Sequence, residues 1–487
     1  MEQIQLTVSH YVFLLTVLSI FISIAFRRGV IIPSIAGIFV LGLLSDQSNS
    51  GIINTLVFAI QTLSKALLNA GEELFDIMLV IALMVAMLKS LQAQGADHIM
   101  VAPMKKLMIG PRTAFFVLAI TMYTAAAFFW PTPAVALVGT VLIPVAIRVG
   151  LPALAAAVAV NLAGHGMALS ADPIIQGATR LTAGSAGIDP GELLPYTILF
   201  SLIAGFVAIA ISCLTIRRDM HNGKLKLKTQ EDGLVDAGEG SDKVHAPEEE
   251  NDAPGRYARL FAIGVPIILL SIALLMIYRG IFNPAQAIRG GAATALLGGT
   301  ATALLVLSTF AGQGHRAMEG IAEHLRDGFF FSIKIFAPII PIAGFFFLGN
   351  PEHAATVIGE GTPGFLFDIG NYIGKHVDGD VTAIAFGITA IGFLTGMDGS
   401  GFSGLPLAGS LSGALATGAG LDVAVLAALG QVVTIFTGGG TLVAWAFGAC
   451  ADAGIAGVTP AELVRRNFFP VVSGLITITF LAIFLMS

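Results

Sequence analysis

Apolar sequence that stops and restarts, and does so twice in a similar way, restricts this chain more than any other feature. Between positions 113 and 149 two apolar runs are parted by Trp130-Pro131-Thr132-Pro133. A third run, from 152, gives way at Asn161, Gly164-His165-Gly166 and Ser170-Ala171-Asp172-Pro173. Polar groups and helix breakers inside apolar sequence are tolerated only where they line a cavity or are buried in protein. A shift of 270 positions brings up a second such stretch, Ser400 to Ala446. Doubled, broken apolar segments point to the binding site of a transporter.

The rest of the chain has the same character. Of its 487 residues, 55% are hydrophobic and 11% charged, too few charges for a soluble domain of this size. Uncharged windows of about 17–22 residues are long enough to cross a hydrocarbon core of roughly 30 Å. The expected class is therefore all-α, a polytopic membrane protein. The 57 glycines agree, because glycine lets membrane helices approach closely. Cys213 and Cys450 lie in or at the ends of apolar segments, without disulfide or metal-site spacing. Lys and Arg are missing before the first apolar run and Arg27-Arg28 follow it, the reverse of signal-peptide polarity, so no cleaved signal is expected.

Apolar segments fall near 11–26, 30–45, 73–88, 113–149, 152–184 and 194–216. Residues 52–70, with Gln61, Lys65 and Asn69 among leucines, read as a separate interfacial helix. Glu72, Glu73 and Asp76 read as the start of the next helix, where its dipole favours carboxylates. Residues 217–259 form a hydrophilic linker with basic ends and an acidic middle. The series then recurs at 260–278, 290–310, 328–349, 381–419, 422–450 and 467–486, with a polar amphipathic piece at 315–327. Gly139, Gly150-Leu151, Ala183-Gly184 and Pro190-x-Glu192-Leu193 fall on Gly409, Gly420-Leu421, Ala453-Gly454 and Pro460-x-Glu462-Leu463, without a gap. The expected organisation is a repeat over 1–216 (hairpin 113–149, broken helix 152–184), the linker, and a second repeat over 260–487 (hairpin 381–419, broken helix 422–450). With the linker cytoplasmic, most Lys and Arg of the short loops fall inside; Lys65, Arg279, Arg289 and Lys375 do not. That topology puts both termini outside the cell membrane, makes both hairpins re-entrant and inverts the two copies, each with about five crossings.

Four breaks then converge: the tips Trp130–Pro133 and Asp398–Ser403, and the mid-helix interruptions Asn161–Pro173 and Gln431–Gly440. Hairpin tips and unwound turns free backbone groups; half-helix N-termini suit anions, and freed carbonyls with hydroxyls suit Na⁺. The candidate substrate-binding residues are Thr132, Asn161, His165, Ser170, Ser400, Ser403, Gln431, Thr434 and Thr437. Asp172, Asp398, Gly438 and Gly439 are the candidate cation-coupling residues, the two aspartates being possible Na⁺ ligands. Each has a plainer alternative. Ser and Thr in membrane helices often bond their own backbone, and Asp172 before Pro173 suits a helix cap. His165 suits a structural hydrogen bond as well as proton traffic. Lys89 and Lys334 suit snorkelling, and Arg180 either attracts anions or reaches the interface.

This plan resembles the ion transporter superfamily, secondary carriers of citrate, C4-dicarboxylates, gluconate or lactate together with some Na⁺/H⁺ antiporters. The resemblance covers essentially the whole chain and rests on the inverted halves, hairpins, broken helices and central linker. The Ser-Asn-Thr signature of the dicarboxylate/sodium branch is missing at both tips, which read Trp130-Pro131-Thr132-Pro133 and Asp398-Gly399-Ser400-Gly401. Thr132-Pro133 is loosely similar to the tip of gluconate-type carriers. The resemblance implies elevator-like movement against a dimeric scaffold formed by the early segments of each half.

The leading expectation is a carrier, not an enzyme: symport of a small organic anion, a carboxylate, with Na⁺ or H⁺, in the lipid bilayer and as a homodimer. No cofactor other than Na⁺ and no nucleic-acid partner is expected. The alternative is a Na⁺/H⁺ antiporter using the same aspartates. An intramembrane aspartyl protease is disfavoured, because neither Asp172 nor Asp398 stands in a Gly-x-Gly-Asp context. A channel would leave the hairpins without a role.

Overall fold

The computed structural model of the protein describes residues 6–25, 29–45, 51–223, 225, 255–283, 286, 288, 291–376, 380–397, 399–444 and 446–487. Asp398 and most of the 217–259 linker lie outside the described residues. Those described form helices and no strand. The first half runs α1 (Val8–Ala25), α2 (Ile31–Leu43), α3 (Ile52–Gln92), α4 (Ala96–Val101), α5 (Pro111–Phe129) and α6 (Pro131–Arg148). Next, α7 (Ala153–Asn161) passes through a π-helical segment, Leu162–Ala168, into α8 (Leu169–Ala171); α9 (Gly177–Ala186) and α10 (Pro190–His221) follow. The second half opens with α11 (Ala258–Phe282), α12 (Gly291–Gln313), α13 (Ala317–Phe336), α14 (Ile339–Phe347), α15 (Pro351–Val357) and α16 (Phe365–His376). It continues with α17 (Val381–Gly396), α18 (Leu405–Ala419), α19 (Val423–Phe436), a π-helical segment at Thr437–Thr441, α20 (Phe447–Ala456) and α21 (Pro460–Met486).

Nine stretches among the described residues are long and apolar enough to cross a membrane. Phe206 on α10 and Phe484 on α21 are 73% and 77% exposed, costly in water and favourable in lipid. The protein is a multi-pass, all-helical membrane protein. The broken helices are its interior: 89% of Ala153–Ala171 and 94% of Val423–Thr441 is buried, against 22% of Ala258–Met276.

Local chemistry sets the helix starts. Asp189 accepts from Gly191 N (2.7 Å) and Thr459 Oγ1 from Glu462 N (3.3 Å), with Pro190 and Pro460 at the first helical positions. Three helix starts recur at the 270-residue shift: α7 with α19, α9 with α20, and α10 with α21. The left-handed glycines that end α9 and α20, Gly187 (φ 74°) and Gly457 (φ 67°), keep the same shift. So do the contacts between the halves. α9 packs on α18 of the other hairpin, and α20 packs on α6. Small residues allow both approaches: a Cβ on Gly139 falls 2.7 Å from Ile455 Cγ2, and one on Gly409 falls 2.9 Å from Ser185 Cβ.

Two boundaries depart from the sequence expectation. Residues 52–70 are not a separate interfacial helix; they continue into the next segment as α3, 41 residues long. Glu72, Glu73 and Asp76 therefore sit mid-helix rather than at an N-terminus, because lone Gly71 weakens a helix without ending it. The amphipathic piece at 315–327 likewise joins the following apolar run in α13, and the break falls later, at Ala337-Pro338. Both α12 and α13 pack along α3.

Candidate functional site

The two hairpins turn where their sequences break. Between α5 and α6 the chain reverses at Trp130 in a left-handed conformation (φ 71°), with Pro131 opening the second arm and Thr132 beside it, half-buried. Between α17 and α18 the turn runs through Gly399–Gly404. There Ser400 Oγ accepts from Phe402 N (3.2 Å) and Ser403 N (3.0 Å) and bonds Ser403 Oγ (2.9 Å). The tips meet through Trp130 and Phe402, whose ring centroids are 5.2 Å apart.

The second tip lies against the second break without side chains between them. A Cβ on Gly438 would fall 2.6 Å from Gly396 O and 2.8 Å from Gly401 N. Gly439 comes equally close to the first half, its Cβ position being 2.7 Å from His165 O. Only glycine permits backbone to meet backbone this closely.

The broken helices then exchange hydrogen bonds. Asn161 Nδ2 donates to Gly440 O (3.2 Å), and Gln431 Nε2 donates to Ser170 O (2.9 Å). Asn161 and Gln431 are 270 positions apart, and so are Ser170 and Gly440. Each half thus satisfies a carbonyl freed by the break in the other. Gln431 Nε2 also lies 3.4 Å from Thr179 Oγ1, and Ser170 Oγ donates to Ser201 Oγ (2.9 Å).

The densest polar cluster contains two residues that sequence reasoning missed, Asp452 and Asn467. Asp452 Oδ2 accepts from Asn161 Nδ2 (2.7 Å) and shares a hydrogen bond with His165 Nδ1 (2.9 Å), and Asn161 Oδ1 accepts from Asn467 Nδ2 (2.7 Å). Asp452, Asn161 and Asn467 are fully buried and His165 is 3% exposed. Asp452 Oδ1, His165 Nε2 and Asn467 Oδ1 are buried with no partner among the described residues. An unsatisfied buried polar group costs about 1–3 kcal/mol, so the three are a local cost that the cluster's own hydrogen bonds offset. The one available signal was position: Asp452 precedes the repeated Ala453-Gly454 pair, so it lies inside the helix equivalent to α9 rather than in a loop.

The remaining candidates divide. Asp172 (φ 36°) turns its carboxylate onto the start of α9, with Oδ1 accepting from Gln176 N (3.0 Å) and Oδ2 from Ala178 N (2.7 Å). Both oxygens serve a helix N-terminus, but of the helix that starts at Gly177; no helix starts at Pro173, where the sequence pattern of Asp before Pro places it. Thr437 Oγ1 donates to Val433 O of its own helix (2.8 Å), and Thr434 Oγ1 is 3.4 Å from Thr395 Oγ1. Arg180 pairs with Asp76 on α3, Nη2 to Oδ2 3.1 Å, rather than standing free to attract anions. Lys334 is exposed, 5.9 Å from the Phe447 ring centroid at the start of α20.

No protein-family model matches the chain. The crystal structure of the Alcanivorax borkumensis YdaH transporter, whose topology is described as unusual, resembles it with a TM-score of 0.54 at 15% sequence identity, covering 98% of both chains. At that identity the likeness is one of fold. The Bacillus subtilis (strain 168) protein called uncharacterized membrane protein YhfA is 34% identical over 480 residues, 98% of this chain and 97% of that one. On that similarity, the chain belongs to the YhfA family of membrane proteins.

Proposed function

We propose that the protein is a secondary active transporter, a cation-coupled symporter of a small organic anion of the carboxylate class, working by elevator-type alternating access. One observation carries this reading: both hairpin tips and both helix breaks meet in the protein interior, where each half bonds backbone freed in the other. Freed backbone at membrane depth is costly unless it lines a pathway or a ligand site. The fold likeness to the YdaH transporter supports the same class. The α9 N-terminus is already occupied by the Asp172 carboxylate, whereas no described residue caps α20 with its side chain. The second half is therefore the better place for the substrate's negative charge. In this reading residues 1–216 and 260–487 are inverted repeats, the linker is cytoplasmic, both termini are outside, and the transporter is a homodimer.

Na⁺/H⁺ exchange is the competing reading. Two buried aspartates, Asp172 and Asp452, favour it because intramembrane carboxylates are the usual carriers of exchanged cations. Counterflow of radiolabelled citrate, succinate, gluconate and lactate into proteoliposomes separates the two. Uptake of at least one, dependent on a Na⁺ or pH gradient, is expected. Uptake of none, with Na⁺-driven pH change intact, would rule out the symporter in favour of exchange.

A further inference from the structure

We propose that the His165–Asp452 pair is the proton-binding site of this transporter, so that the coupling cation is H⁺ and its carrier is a pair shared between the two halves. This rests on the transporter reading above and assigns its coupling ion. His165 comes from the π-helical segment of the first half and Asp452 from α20 of the second. The two meet at 2.9 Å in a fully buried setting, with Asn161 donating to the same carboxylate oxygen at 2.7 Å. With Asp452 ionised, its carboxylate can only accept, which assigns the imidazole proton to Nδ1 and makes His165 and Asn161 its two donors. His165 Nε2 is then a buried acceptor with no partner among the described residues, the atom at which one further proton binds.

The step balances simply. Water on one side gives a proton to Nε2, forming the N–H bond of an imidazolium. The pair passes from a net charge of −1 to zero, and on the other side the same N–H bond breaks and returns the proton to water. A buried net charge inside a membrane is expensive, and a hydrogen-bonded neutral pair much less so. Loading with a proton therefore removes the electrostatic penalty on moving the pair. At Nε2 itself H⁺ is favoured over Na⁺, because imidazole is a poor ligand for a hard alkali cation; a Na⁺ would need the oxygens Asp452 Oδ1 and Asn467 Oδ1 instead.

The neighbours leave the pair isolated. α7, α8, α19 and both π-helical segments contribute no other titratable side chain. α5 and α6 add half-buried Tyr123 and the exposed Arg112 and Arg148, and α20 adds Cys450. α10 and α21 add the Arg466–Asp219 ion pair, 2.6 Å, among groups at their ends. Asp172, beyond the π-helical segment, is held by backbone N–H groups.

The test uses the full-length protein in lipid, labelled with ¹⁵N-histidine, and follows the imidazole bands by infrared difference spectroscopy as pH is stepped. A histidine protonation band present in the wild type and absent from His165→Asn is expected. Asp452→Asn is expected to lose the pH response of that band, and Asp452→Glu to keep it. A histidine band that follows pH identically in wild type, His165→Asn and Asp452→Asn would overturn the proposal. In proteoliposomes, an imposed pH gradient should drive uptake of whichever panel carboxylate is transported, and Asp452→Asn should lose that dependence. Equal dependence in both would also overturn it. If no panel carboxylate enters wild-type liposomes, the substrate reading fails while the infrared result still decides the proton site.

Discussion

The two broken helices share a skeleton and differ in what they hold. Both start and restart at equivalent positions, each with a π-helical segment between (Leu162–Ala168 and, further along its helix, Thr437–Thr441), and each sends an amide side chain to the other's freed carbonyl. Yet α9 is capped by Asp172, and the equivalent position ahead of α20 is Leu442. His165 faces Asp452, while their counterparts are Ile435 and Thr182. Symmetry in the backbone supplies two similar frames; asymmetry in the side chains assigns them different tasks. The first break ends in a self-satisfied cap, and the ionisable chemistry collects where the first half's π-helical turn meets the second half's restarted helix.

The sharpest way to break this comparison is at the positions where the halves differ most. Asp452→Leu takes the acceptor from one N–H of His165 and one of Asn161, an expected loss of about 1–3 kcal/mol for each stranded donor, read as a lowered unfolding midpoint in detergent. The equivalent substitution in the first half, Thr182→Val, removes a hydroxyl that has no partner among the described residues, and should change stability by less than about 0.5 kcal/mol. Equal effects would mean that the asymmetry carries no energetic weight. Next come the reciprocal amides. Asn161→Ala strips partners from Asp452, Asn467 and Gly440, and should cost about 3 kcal/mol; Gln431→Ala should cost about 1 kcal/mol. The reverse order in a chemical-denaturation series would show that the polar cluster is not centred on Asn161. At the cap, Asp172→Ala should cost about 1–2 kcal/mol, close to Gln431→Ala. Asp172→Asn should recover part of it, because one side-chain oxygen still accepts. A cation dependence of transport lost in Asp172→Asn but intact in Asp452→Asn would move the coupling site to the first break.

Much of this arrangement was legible in residue order. Pro131, Pro173 and Gly438-Gly439-Gly440 in apolar sequence announced the breaks, because no unbroken helix accommodates them cheaply. The constant register of Gly139 with Gly409 and of Pro190 with Pro460 announced the shared skeleton. Asp452 was not legible. It stands among alanines near the end of an apolar run, and its partners Asn161 and His165 lie 291 and 287 positions away. Its role exists only once α20 packs across α7, a tertiary fact without a local signature. The join within α3 was missed for the opposite reason. Gln61, Lys65, Asn69 and three carboxylates looked like a boundary, but side-chain polarity changes what a helix touches and does not stop its hydrogen-bond ladder.

α3 also sets the protein's relation to its bilayer. Its 41 residues make a rod of about 60 Å at 1.5 Å per residue, roughly twice the ~30 Å hydrocarbon layer. Such a rod either leans steeply or carries several turns into the headgroups and the water beyond. Because its hydrogen-bond ladder has no break, a tilt imposed on one end carries to the other except where the helix curves, and bilayer thickness acts along its whole length. α12 and α13 lie along that rod, so they tip with it. Lipid thickness thereby becomes a mechanical load on α3 and the helices packed along it, and activity should vary when the same protein is reconstituted in lipids of different acyl length.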